Sequence, residues 1–348
     1  MNRPPRVLLP CDTRDWVVNV VDGYQRLGWD VTTGVYNLEL EACQPDVVHL
    51  NWPEELVGWK RPTQAQVDAL KGRLDRWIKH ARLIVTVHNL YPHGGHGDTA
   101  WRQLYEAVYE RAEVIHHLSQ TSRDLICAEY PSIVHRNHVV RLGFNYDLLL
   151  PNVLQDRAAA RRALGLEPDA MVFLSLGAVR FWPEVCLLHE AFARARVTNK
   201  RLILGSRFSL TGSGLSRRWR HLQWKMWKRR ADVVPSDRYI PDEELPALFA
   251  ATDAVIIIRQ ESLSSGLPSL AMTFGRMVIG PTVGAIPEYL AGADNILYEG
   301  SSATNLAQAL ERAVHVDREA IGAQNRRIAA EWKWDRIIKT CLDALPSR

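Results

Sequence analysis

The sequence predicts an α/β protein: two Rossmann-like domains whose parallel sheets face each other across a deep cleft. Three observations lead there. Short apolar runs alternate with longer amphipathic segments through both halves of the 348 residues, the pattern of parallel strands joined by crossover helices. The alternation restarts at the apolar run Met171–Leu176, after a polar stretch that opens at Pro151-Asn152 and continues to about Glu167. The first half has no Gly-x-Gly-x-x-Gly turn, which argues against a dehydrogenase and favours a ligand between the halves, at the carboxyl ends of the strands. The length suits two domains of roughly 150 residues each. The expected boundaries are 1–150 and 151–333, with the terminal helix 334–348 packing back on the first domain.

In the first half, Arg6–Pro10, Trp29–Val35, 46–50, Leu83–His88 and Glu113–Leu118 have the composition of strands. Trp16–Leu27 is a predicted helix closed by Gly28. Thr63–His80 is another, with Val67, Leu70, Leu74, Trp77 and Ile78 on one face, and Trp101–Arg111 a third. Ser119 to Asp124 has the character of a helix start. In the second half, strands are expected at Met171–Leu176, Arg201–Leu204, Ala254–Ile258 and Met277–Ile279. Leu187–Ala195, a Trp/Arg-rich segment, Ala303–Val314, Arg318–Ala330 and Trp334–Leu345 have the spacing of helices.

Composition narrows the class. The chain is 47% hydrophobic and 24% charged, as soluble globular proteins are. No apolar stretch reaches about 18 residues, so no transmembrane helix is predicted. The first six residues run into a strand without the apolar region and cleavage site of a signal peptide. Five scattered cysteines with no Cys-x-x-Cys pair argue against a disulfide framework or zinc site. A reducing compartment, the cytoplasm, is expected. A net charge of +4 is too mild to imply nucleic-acid binding, and no recognition module is visible.

The most informative stretch runs from Tyr239 to Leu290. Acidic residues open a helix at 242–246, a buried strand follows at Val255–Ile258, and then comes Glu261-Ser262-Leu263-Ser264-Ser265-Gly266 leading into a helix. Small residues at a helix start leave backbone N–H groups free and aimed at one spot, which the helix dipole makes attractive to an anion such as a diphosphate. Ile286-Pro287-Glu288 opens a further helix.

These segments resemble the donor-binding signature of nucleotide-sugar glycosyltransferases related to family 4, which have the GT-B fold. More narrowly they are similar to the bacterial xanthan-type exopolysaccharide β-mannosyltransferases. Ser264-Ser265-Gly266, Gly275-Arg276-Met277-Val278-Ile279 and Gly284-Ala285-Ile286-Pro287-Glu288 carry the match. Three earlier segments extend it: His49-Leu50-Asn51-Trp52-Pro53-Glu54, Thr86-Val87-His88-Asn89-Leu90-Tyr91-Pro92-His93 and Gly177-Ala178-Val179-Arg180-Phe181-Trp182. Gly143-Phe144-Asn145-Tyr146 sits where the family has its hinge.

The resemblance implies hexosyl transfer from a nucleotide-sugar donor, GDP-mannose or alternatively a UDP-sugar, with no metal and no other cofactor. Arg180 and Arg207 are expected to neutralise the leaving diphosphate, since a guanidinium fork holds two phosphate oxygens. Ser264, Ser265, Gly266, Tyr239, Glu261 and Glu288 complete the expected donor site. His88 is expected beside the transferred sugar. Asn89, His93 and Trp52 are expected on the acceptor side. An inverting transfer needs a base for the acceptor hydroxyl, and Glu54 and then Asp98 are the candidates, with His93 a third.

The sequence also departs from the family pattern. Pro183 and Glu184 stand where the family has a lysine, and Leu142 replaces the hinge histidine. Glu261 stands for the first glutamate of the retaining relatives' pair, but Ser269 or Leu270 occupies the second position. That loss favours inversion. A second reading from another class is a degenerate GT-B subunit that binds a glycan or nucleotide without turnover.

Between Arg217 and Arg230 there are seven Lys/Arg and no acid, interleaved with Trp219, Trp224 and Trp227. A helix there suits an anionic membrane surface, with Arg217, Arg218 and the three tryptophans in contact. The family resemblance implies a lipid-linked saccharide acceptor and a peripheral place on the inner face of the membrane. A solvated basic helix with its tryptophans packed inward is the competing expectation.

Overall fold

Short apolar runs of the N-terminal half pair side by side as β1 (Arg6–Leu9), β2 (Asp30–Thr33), β3 (Val47–Leu50), β4 (Arg82–Val87), β5 (Val114–His117) and β6 (Asn137–Val140). The computed structural model describes residues 3–12, 15–40, 44–92, 95, 97–150, 155–177, 181–205, 214–236, 238, 240–260 and 263–347. The six strands form one sheet in the order β2-β1-β3-β4-β5-β6, every pairing parallel. Crossovers run through α1 (Asp15–Arg26), α2 (Gln64–Trp77), α3 (Thr99–Tyr109) and α4 (Gln120–Glu129). The reason for α2's start is local: Thr63 and Gln66 form a reciprocal capping box. Burying both faces of β3, β4 and β5 calls for continuous apolar runs, and the histidines within them are then buried too.

The second sheet is built from β7 (Met171–Leu176), β8 (Lys200–Gly205), β9 (Val233–Ser236), β10 (Ala254–Ile256), β11 (Met277–Pro281) and β12 (Ile296–Tyr298), in the order β12-β11-β10-β7-β8-β9 and again all parallel. Its helices are α5 (Arg157–Ala163), α6 (Trp182–Arg194), α7 (Gly214–Lys228), α8 (Leu245–Ala251), α9 (Gly266–Thr273), α10 (Ile286–Leu290), α11 (Ala303–Arg312) and α12 (Arg318–Ala329). The last helix, α13 (Trp334–Asp343), belongs with the first sheet: the chain divides into Met1–Phe144 with Trp332–Arg348, and Asn145–Glu331. Helix α13 packs on α1 closely enough that a Cβ at Gly23 would come within 2.7 Å of the Trp334 Cβ.

Several elements differ from the sequence expectation. β6, β9 and β12 were not expected, and each lies at a sheet edge. Edge strands pair on one side only and tolerate polar residues and proline, as Asn137, His138 and Pro235 illustrate, so their apolar signal is weak. Residues 157–163, expected within a linker, form α5 capped by Asp156. A buried ion pair fixes that helix: Arg161 reaches Asp253 Oδ2 at 2.7 Å, and the same oxygen accepts from Val172 N at 2.7 Å.

Helix α7 corrects the expectation for Trp224 and Trp227. Both are buried in the core of the second unit, and Trp227 meets the His189 ring of α6 edge-on at 5.2 Å. Two indoles of one helix face bury too much apolar area to be left in water while a core face is open. The opposite side leaves Trp219, Leu222 and Met226 exposed.

Candidate active site

In an open parallel sheet, ligands bind beyond the carboxyl ends of strands where the strand order reverses. In the first unit that point lies between β1 and β3. Asp12 follows β1 and is exposed, and its backbone N–H donates to Glu55 Oε1 across the point at 2.9 Å. Asn51, Trp52 and a 3-10 turn over Pro53–Val57 follow β3, and His88 and Asn89 follow β4.

His88 is walled by aromatic rings. Its imidazole stacks on Trp52 at 4.5 Å and meets Trp16 edge-on at 4.4 Å. Nε2 lies 3.4 Å from Asn51 Oδ1. Burial holds the ring's pKa well below the ordinary histidine value, helped by His116 and His49 nearby, so the ring is neutral at pH 7. Below it a polar chain crosses the sheet: Tyr24 hydroxyl to His49 Nδ1 at 3.0 Å, His49 Nε2 to Thr86 Oγ1 at 2.8 Å, and Thr86 Oγ1 to His116 Nδ1 at 3.0 Å. Burial pushes His49 and His116 each down to about 3.

The two carboxylates expected as bases are placed otherwise. Glu54 is buried at 1% exposure; Tyr105 donates to its Oε2 at 2.7 Å and Asn89 to its Oε1 at 3.3 Å. Burial raises its pKa, while its own backbone N–H and these two donors pull the other way. Its two carboxylate oxygens are met by Asn89 and Tyr105 inside the unit rather than by solvent. Asp98 caps α3 through Ala100 N and pairs with Arg61 at 2.5 Å, which holds its pKa below the usual value. A lowered pKa makes it a poor proton acceptor. Among the described residues Asp12 is an exposed acid at this edge, and sequence reasoning did not name it; its place three residues after the first strand was the available signal.

In the second unit the strand order reverses between β7 and β10. Gly177 ends β7 at φ +97°, where only glycine is at ease. Arg259 follows the apolar run of β10, and its guanidinium reaches Glu184 at 3.2 Å. Glu184, in the first turn of α6, is 1% exposed. The pairing explains how a glutamate stands where the family has a lysine: its charge is met from inside the unit. Arg259 is a second residue that sequence reasoning missed. Ser265 caps α9, accepting from Leu267 N at 3.4 Å, with Ser264 and Gly266 beside it and all three partly exposed. Glu288 lies in the first turn of α10, and Ala285 N donates to Leu263 O at 3.3 Å, tying that turn to the loop before α9. Arg180, Arg207, Tyr239, Glu261, His93 and the side chain of Arg217 lie outside the described residues; Arg218 is exposed on α7. Among the described residues no group of three or more His, Cys, Asp and Glu is arranged to hold a metal ion, and no helix is long and apolar enough to cross a membrane.

Two six-stranded parallel sheets, each with its reversal point lined by polar residues, define the class. The chain belongs to the GT-B glycosyltransferases, in the family-4-like group of nucleotide-sugar-dependent enzymes. It is 30% identical over 333 residues to the D-inositol 3-phosphate glycosyltransferase of Actinosynnema mirum, covering 90% of this chain and 75% of that one. The enzyme of the same description from Geodermatophilus obscurus is 28% identical over 321 residues, and the match spans 86% of this chain and 66% of its length. No protein-family model matches the sequence. Among solved structures, sucrose-phosphate synthase from Thermosynechococcus elongatus superposes with a TM-score of 0.74 at 16% identity, covering 98% of each chain. Anabaena HepE in complex with UDP and glucose superposes at 0.70 and 16% identity, covering 99% of this chain and 100% of that one.

Proposed function

We propose that the protein transfers a hexose from a nucleoside diphosphate sugar to a saccharide acceptor with inversion. The carrying observation is the neutral, aromatic-walled His88 at the carboxyl end of β4, beside the reversal point of its sheet. A neutral imidazole both donates and accepts hydrogen bonds to sugar hydroxyls without repelling the positive charge that develops at the anomeric carbon. In this reading Asp12 takes the acceptor's proton, because Glu54 and Asp98 are otherwise engaged. The leaving diphosphate rests on the amides at the start of α9, with Arg180 and Arg207 supplying charge.

The xanthan-type resemblance favours GDP-mannose as donor. The similarity to HepE, whose structures hold UDP and UDP-glucose, favours a UDP-hexose. The xanthan-type resemblance favours a lipid-linked acceptor. Trp219, Leu222 and Met226 on α7, with Arg218 and Arg229 also exposed, support a peripheral contact with an anionic membrane.

A thermal-shift series with GDP, UDP, ADP and their sugars tests the proposal. One nucleotide and its sugar should raise the melting temperature of the wild type, since a ligand bound only by the folded state stabilises it. Arg180→Ala should lose most of that shift. No shift with any of them would overturn the reading.

A further inference from the structure

Trp59 combines three properties that rarely coincide. The residue is 44% exposed. Its backbone sits at φ +60°, a left-handed conformation that is a true outlier for a bulky side chain. It continues the aromatic stack of His88 outward: Trp52 lies face to face with His88 at 4.5 Å, and Trp59 follows Trp52 at 6.3 Å with the planes inclined by 47°.

A solitary exposed tryptophan needs no explanation. A strained one does, because unfavourable backbone persists only where the surroundings impose it, and it gathers at binding and catalytic sites. Here the constraints are visible. Gly58 closes the 3-10 turn in the left-handed region, and Trp59 N donates to Glu54 O at 2.8 Å. Two residues on, Arg61 is tied to Asp98 at the start of α3. The indole is therefore presented by a pinned backbone and loses little freedom when something stacks on it.

We propose that Trp59 is a stacking platform for a pyranose ring of the acceptor saccharide, one ring outward from the sugar that meets His88. A pyranose carries a face of C–H groups that is apolar and slightly positive, and it packs on the electron-rich face of an indole while its hydroxyls stay in water. Exposed Lys60 beside it suits an acceptor that also carries an acidic group. The placement rests on the transferase reading, which gives the His88 edge its sugar.

The test is saturation-transfer NMR on the full chain with cellobiose, α-1,3-mannobiose and glucuronic acid as probes, in the presence of GDP or UDP. The wild type should transfer saturation to the ring C–H protons of at least one probe. Trp59→Ala should weaken that binding about tenfold, and Trp59→Phe should restore most of it. Absence of transfer to every probe in the wild type, or equal binding by wild type and Trp59→Ala, overturns the platform. A Trp59→Ala variant that keeps its sugar binding but no longer sediments with anionic vesicles makes Trp59 a membrane contact and overturns it too. Nucleotide binding is followed in the same samples. If nucleotides bind and sugars do not, only the platform falls; if neither binds, the transferase reading falls with it.

Discussion

The imidazole of His88 lies against the indole of Trp52, ring centres 4.5 Å apart and planes inclined by 25°. A ring held in that way is desolvated, and desolvation disfavours the charged imidazolium. The same physics acts on His49 and His116 beneath it.

Acid should therefore unfold the protein early. The folded pKa values lie below the unfolded value of about 6.5, so as pH falls through that value the unfolded chain takes up protons that the folded chain refuses. Each such histidine lowers stability by about 1.4 kcal/mol per pH unit below roughly 6.5. The melting temperature should fall steeply between pH 7 and pH 5. His116→Leu should make the fall shallower, while Thr86 keeps its bond to His49. A flat melting profile over that range would refute the assignment.

Glu184 and Arg259 should be strongly coupled. Arg259→Ala leaves a carboxylate buried without this partner, at a cost of about 3–5 kcal/mol. Arg259→Ala with Glu184→Leu should recover much of it. Urea unfolding of the two single variants and the double variant completes the cycle.

The two faces of α7 should respond differently to substitution. Trp224→Ala opens a cavity in the core and should destabilise by about 3–5 kcal/mol. Trp219→Ala on the exposed side should change stability by less than about 0.5 kcal/mol. Only the second change should leave a well-folded protein that sediments less with anionic vesicles. Sedimentation of the wild type should weaken in high salt.

At position 59 the usual order of small residues should invert. Glycine is ordinarily the less stable choice, but at φ +60° an alanine keeps the strain that a glycine relieves. Trp59→Gly should be more stable than Trp59→Ala by about 0.5–1 kcal/mol. Both should lie below the wild type, since the indole's buried half is lost in each. Chemical denaturation of the pair decides this.

Legibility followed burial. Strands at the sheet centres, such as 83–87 and 171–176, were plain as apolar runs because both faces are covered. The edge strands β6, β9 and β12 were not, since half of each meets water. The segment 86–93 pointed to the candidate site in the first unit through its family resemblance, and Ser264-Ser265-Gly266 did so in the second. Asp12 and Arg259 were missed, because a single charged residue after a strand looks like any solvated loop until the strand order shows which ends converge.

The sequence by itself determined the two-sheet plan, the extents of most helices and the positions of His88 and the α9 cap, since those depend on periodicity and on neighbours close in the chain. The tertiary structure decided which acids are free to react and which tryptophans face water. Glu54 meets its tyrosine 51 residues away, and Glu184 meets its arginine 75 residues away. Side-chain ionisation and helix rotation are set by whichever distant groups share the same desolvated space, and one-dimensional order does not encode that locally.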